Sequence, residues 1–150
     1  MQFFNLFGLI FITVVMIPNI IFAVKCKDGF ENYIQGKWGK VLEIFEQIGR
    51  YGCFVTMIFN IPGTYIGFSS DTAFAIYLFI NVILVFIYCL IWIICFWKNN
   101  LFRGIALSVI PSVLFLFSGI ISRSVLLIAA AIIFAPCHVI ISVGNVIRKT

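Results

Sequence analysis

The chain has 150 residues, of which 63% are hydrophobic and only 10% charged, with a mean hydropathy of +1.19. An ordinary soluble domain is about 45–50% apolar and about 25% charged, so this composition excludes a water-soluble globule and makes lipid the solvent. The net charge of +5 is not gathered on a soluble module, which excludes a nucleic-acid surface and leaves membrane topology as its meaning.

A spanning helix needs roughly 20 mostly apolar residues. In chain order the candidate spans are 3–24, 51–68, 73–97, 104–121 and 125–146. The first lacks a basic segment ahead of it and is longer than the apolar part of a signal peptide, so it is read as a retained helix. After it, residues 36–50 carry Trp38, Val41, Leu42, Phe45 and Ile48 at helical spacing, with Lys37, Lys40, Glu43, Glu46 and Arg50 on the other face. That pattern predicts an amphipathic helix lying in the membrane interface, with Lys40–Glu43 and Glu46–Arg50 as surface ion pairs. Between the last two runs stand only Ser122, Arg123 and Ser124. A single helix over 104–146 would reach roughly 65 Å, about twice the hydrocarbon thickness, so a tight turn is expected there.

Basic residues orient the bundle. With five spans, Lys25, Lys27, Lys37, Lys40, Arg50, Lys98, Arg103, Arg148 and Lys149 fall on one side, and only Arg123 on the other. The bias of basic residues toward the cytoplasm then places the N-terminus outside and the C-terminus inside. The predicted fold is an all-α membrane protein, one polytopic domain over 1–150: a bundle of five transmembrane helices with one interfacial helix.

No Asp, Glu, Lys or Arg lies deep in these predicted spans, which argues against proton pumps and voltage sensors. The uncharged polar residues Asn19, Asn60, Asn81 and His138 are the candidate ligand-binding residues, with interhelical hydrogen bonding as their alternative role. Pro18, Pro62, Pro111 and Pro136 are expected to break helices, two of them beside asparagine in Pro18-Asn19 and Asn60-Ile61-Pro62. Tyr88, Trp92 and Trp97 suit an inner aromatic belt with Trp38, and Tyr65 and Tyr77 an outer one. The five cysteines form no CxxC pair, and a lone histidine has no metal-ligand spacing around it, so no cofactor or metal is expected. Residues 25–35 match neither a calcium loop nor a phosphate loop.

The stretch Met16-Ile17-Pro18-Asn19-Ile20-Ile21-Phe22-Ala23, then Lys27-Asp28-Gly29-Phe30-Glu31, Glu46-Gln47-Ile48-Gly49-Arg50-Tyr51-Gly52 and Met57-Ile58-Phe59-Asn60-Ile61-Pro62, resembles a group of small multi-pass membrane proteins of low-GC Gram-positive bacteria. The resemblance implies a bacterial plasma membrane and transfers no activity. Three functions are carried forward. The first is a non-enzymatic accessory, immunity or scaffold protein, whose partners are the bilayer and another membrane protein or a second copy. The second is a small transporter or apolar-ligand binder built on the Pro/Asn breaks. The third is an intramembrane enzyme using His138 or the edge acids Glu43 and Glu46, ranked last because nothing pairs as nucleophile and base.

Overall fold

The computed structural model describes residues 3–26, 36–98 and 100–149. Among these residues five α-helices follow one another: α1 (Leu6–Lys25), α2 (Lys37–Ile58), α3 (Asp71–Cys95), α4 (Leu101–Ile121) and α5 (Val125–Lys149). Four of them, α1, α3, α4 and α5, are long and apolar enough to cross a membrane. The predicted loop chemistry of residues 27–35, including the Lys27–Glu31 segment, lies outside the described residues.

The helix starts follow local capping. Asn5 accepts the Gly8 N–H at 3.1 Å, Ser70 the Ala73 N–H at 3.1 Å, and Asn100 the Arg103 N–H at 2.9 Å. Each satisfies one of the donors a helix leaves open at its first turn. The break between α4 and α5 falls at 122–124 as the spacing predicts. Arg123 turns the chain with φ 53°, and its Nε donates to Gly67 O at 2.7 Å.

The helices run alternately up and down. At one end the chain is sewn by backbone bonds: Asn5 N to Ile58 O (2.7 Å), Asn60 N to Phe3 O (2.7 Å), Ile66 N to Arg123 O (3.1 Å) and Val125 N to Thr64 O (2.9 Å). This end gathers the residues before α1, the α2–α3 connection and the α4–α5 turn. At the other end lie the C-termini of α1, α3 and α5, where Arg103 sits 5.2 Å over the Phe22 ring and donates to the Phe96 carbonyl at 3.1 Å. Helix α5 packs along α4 and α2, and α3 along α4 and α1; α1 meets α2 near its own start, where Gly8 lies against the Met57 carbonyl. The core between them is apolar and aromatic, with Phe11, Phe22, Tyr77, Trp92, Leu114, Phe115, Leu127 and Phe134 buried.

Three expectations are corrected. The separate interfacial helix 36–50 and the run 51–68 are not two elements: residues 37–58 form one helix, and 59–70 are irregular. The chain leaves the helix at Phe59, which is extended and pairs with Phe4. Pro62 and Gly63 (φ 87°) then make the two central positions of a turn closed by Thr64 N to Ile61 O at 3.2 Å. The proline breaks are the second. Pro18, Pro111 and Pro136 sit inside helices that continue through them, and Pro62 lies in the turn after α2. Polar side chains bond neighbouring carbonyls around two of the prolines: Asn19 donates to Val15 O, and the Ser108 and Ser112 hydroxyls to Gly104 O and Ser108 O. The third is the aromatic belt. Trp38 and Trp97 face outward, whereas Tyr77, Tyr88 and Trp92 are core residues.

Candidate functional site

Helix α2 is amphipathic in the reverse sense of a soluble helix. Trp38 (79% exposed), Ile44, Phe45, Ile48, Tyr51 and Val55 point away from the bundle, while Gly39, Glu46, Gly49 and Cys53 point into it. A soluble helix hides its apolar stripe. Here small residues and Glu46 make the contact, while Lys37, Lys40 and Glu43 are exposed. A Cβ on Gly49 would come within 2.7 Å of the Phe134 backbone, so the bare glycine lets α2 lie directly on α5.

That close approach brings Glu46 to His138. Glu46 is 3% exposed, near the middle of its helix, about 14 Å from the start of α2 and about 18 Å from its end. Its Oε1 accepts from His138 Nδ1 at 3.0 Å and from the Arg50 guanidinium one turn on. A carboxylate only accepts, so the imidazole carries its hydrogen on Nδ1 and leaves Nε2 to face elsewhere. The His138 ring stacks on Phe134 with centroids 4.6 Å apart and planes 20° apart.

The trio stands on the wall of a cavity of about 350 Å³ between α1 and the α2–α5 pair, to which α3 and α4 contribute Tyr88, Pro111 and Phe115. On the α1 side Asn19 donates to Val15 O at 2.9 Å and to the Tyr88 hydroxyl at 2.7 Å, holding that phenol at the cavity's edge. Ser142, Gln47, Asn145 and the exposed Glu43 also line it. The walls thus combine aromatic faces with a few convergent polar groups, the usual make-up of a small-molecule site.

Of the four asparagine and histidine candidates, two meet here: Asn19 and His138 line the same cavity. Asn81 does not. It is fully buried between α3 and α4, where its Nδ2 donates to the Ser118 hydroxyl at 3.0 Å, an interhelical bond within the core. Asn60 lies at the sewn end and lines a second, wider hollow of about 960 Å³ with Phe3, Phe7, Tyr65 and Phe74. Pro111 touches the main cavity; Pro18, Pro62 and Pro136 do not line it.

Glu46, Arg50 and Tyr88 are site residues that the sequence reading placed elsewhere. Glu46 and Arg50 do pair, but within the bundle instead of at its surface, and among the described residues Lys40 and Glu43 do not pair. The spans as first drawn hold no deep charge; with α2 running from 37 to 58, one carboxylate lies inside the bundle. Among the described residues no three His, Cys, Asp or Glu side chains gather to hold a metal ion. Comparison with protein-family models, with curated proteins and with solved structures finds no match to this chain.

Proposed function

We propose that the protein is a five-span membrane protein whose bundle holds a binding site for a small amphipathic molecule, making it a carrier or binder instead of a scaffold. The observation that carries this is the cavity wall of Glu46, His138 and Arg50: a nearly inaccessible carboxylate with two cationic or cation-forming partners, beside about 350 Å³ of space. Ionisable groups inside a bundle are costly in lipid and mark ligand or ion pathways.

The fifth span is α2. It is 22 residues long, about 33 Å, lies antiparallel beside α1 and α5, and turns its apolar face outward as a lipid-facing helix must. Five crossings put the basic end of the bundle in the cytoplasm and the sewn end outside. The resemblance of the first two helices to small Gram-positive membrane proteins supports a bacterial plasma membrane.

Native mass spectrometry of the protein released gently from its own membrane tests the binding reading. A non-lipid or single-lipid adduct is expected on the unaltered chain and is lost in the folded Glu46→Gln, Asn19→Leu double variant. An adduct that persists at full occupancy in that variant places the ligand elsewhere. A bare chain bound to a different protein supports the accessory role instead.

A further inference from the structure

The ligand's charge follows from how the trio balances its own. We infer that the cavity takes an anion, and that the anion enters with one proton that His138 receives at Nε2. The inference deepens the binding reading above and rests on it.

Glu46 and Arg50 cancel, and Arg50 cannot give up its proton, so with a neutral imidazole the trio carries no net charge. Protonating His138 raises it to +1 without moving an atom, because Nδ1 already donates to Glu46 and the new hydrogen goes on Nε2. Two neighbours face that imidazolium. One is the carboxylate at 3.0 Å; the other is the Phe134 face 4.6 Å away, which attracts a cation above it. A net positive charge in a low-dielectric wall is costly unless an anion accompanies it. An entering anion finds the Nε2–H of His138 and the guanidinium hydrogens of Arg50 not spent on Glu46. Proton in and anion in leave the cavity's net charge unchanged. A cation has no such exchange, since Arg50 holds its proton and Glu46 is already ionised and doubly bonded.

Among the described residues, the titratable and charged groups facing His138 are few. From α2 they are Glu46, Arg50 and, one turn farther and exposed to water, Glu43; from α3, the Tyr88 phenol; from its own helix, the neighbouring Cys137 thiol. The α1 and α4 walls add Asn19, Pro111 and Phe115, which do not titrate.

The test is isothermal titration of the full chain in phosphatidylcholine nanodiscs, blanked against empty discs, from about pH 8 to about pH 6. The probes are decanoate, acetate and decyltrimethylammonium, each run in two buffers of different ionisation enthalpy. Decanoate is expected to bind with uptake of close to one proton, its Kd tightening by up to about tenfold for each pH unit lowered. Acetate behaving alike identifies a small soluble anion as the source, and decanoate alone an amphiphile from the bilayer; both support the inference. His138→Gln keeps a donor toward Glu46 but cannot titrate, so its decanoate binding should lose the pH slope while size-exclusion and circular dichroism profiles hold. Should that variant fail to fold, Phe134→Leu serves: it removes the stack and should shift the binding profile to lower pH. Anion binding without proton uptake, an unchanged slope in His138→Gln, or preference for decyltrimethylammonium overturns the proton-and-anion inference and leaves the cavity a binding site. No probe binding while the native adduct persists overturns it also. No probe binding together with no native adduct overturns both.

Discussion

At the scale of single residues, Glu46 carries the largest energetic consequence. Removing one partner of a buried ion pair strands the other, which costs more than the pair itself contributes. Arg50 is about a third exposed, which softens that cost, so Glu46→Ala should lower stability by roughly 2–3 kcal/mol. Glu46→Ala combined with Arg50→Leu should recover a good part of it. Reversible unfolding in detergent checks both, and a double variant worse than the single would show that Arg50 is stabilised by something besides Glu46. Asn81, buried, and Asn19, half-buried, separate in the same way. Asn81→Leu breaks the bond to Ser118 between α3 and α4 and should cost about 1–2 kcal/mol with ligand binding intact. Asn19→Leu frees the Tyr88 hydroxyl at the cavity and should weaken binding more than folding. Equal effects of both substitutions on stability and on binding would contradict this division.

At the scale of the element, α2 is where sequence and structure part. Periodicity identifies Glu46–Arg50 as neighbours and Trp38, Phe45 and Ile48 as one outward face, but Lys37, Lys40 and Glu43, assigned to the face of Glu46, are exposed as well. It does not say which face turns inward, because that depends on the solvent: water draws the charged face out, and lipid draws the apolar face out. A signal was present. Gly39, Gly49 and Cys53 share the face of Glu46, and small residues on a polar face mark the side on which another helix lies close. In the membrane, cysteines introduced at Ile44, Ile48 or Val55 in a chain cleared of its native cysteines should resist a polar maleimide and react with a lipid-soluble one. Fast polar labelling at all three would place α2 in water. The prolines teach a related lesson. A rule for isolated helices predicts breaks at Pro18, Pro111 and Pro136, yet all three helices continue through them within the packed bundle, with side-chain bonds beside Pro18 and Pro111.

At the scale of the whole molecule, composition alone is enough for the all-helical class, and apolar run length for four helices with ends within a few residues of those observed. The α4–α5 turn was legible because one helix of that length has no place in a bilayer. Half of the candidate site was legible too: Asn19 and His138 stand out as polar residues in apolar runs. Their meeting was not, since helix order and rotation arise from contacts far apart in the chain, such as Glu46 with His138 across 92 positions.

The distribution of backbone ties has its own consequence. At the sewn end backbone hydrogen bonds join the residues before α1, the α2–α3 connection and the α4–α5 turn to one another. The bundle is built like a pair of tongs, riveted at one end with its jaws at the other. The cavity sits in the jaws. The rivet keeps the arms in register, while the walls of the cavity are joined through side chains, Asn19 with Tyr88 and Glu46 with His138.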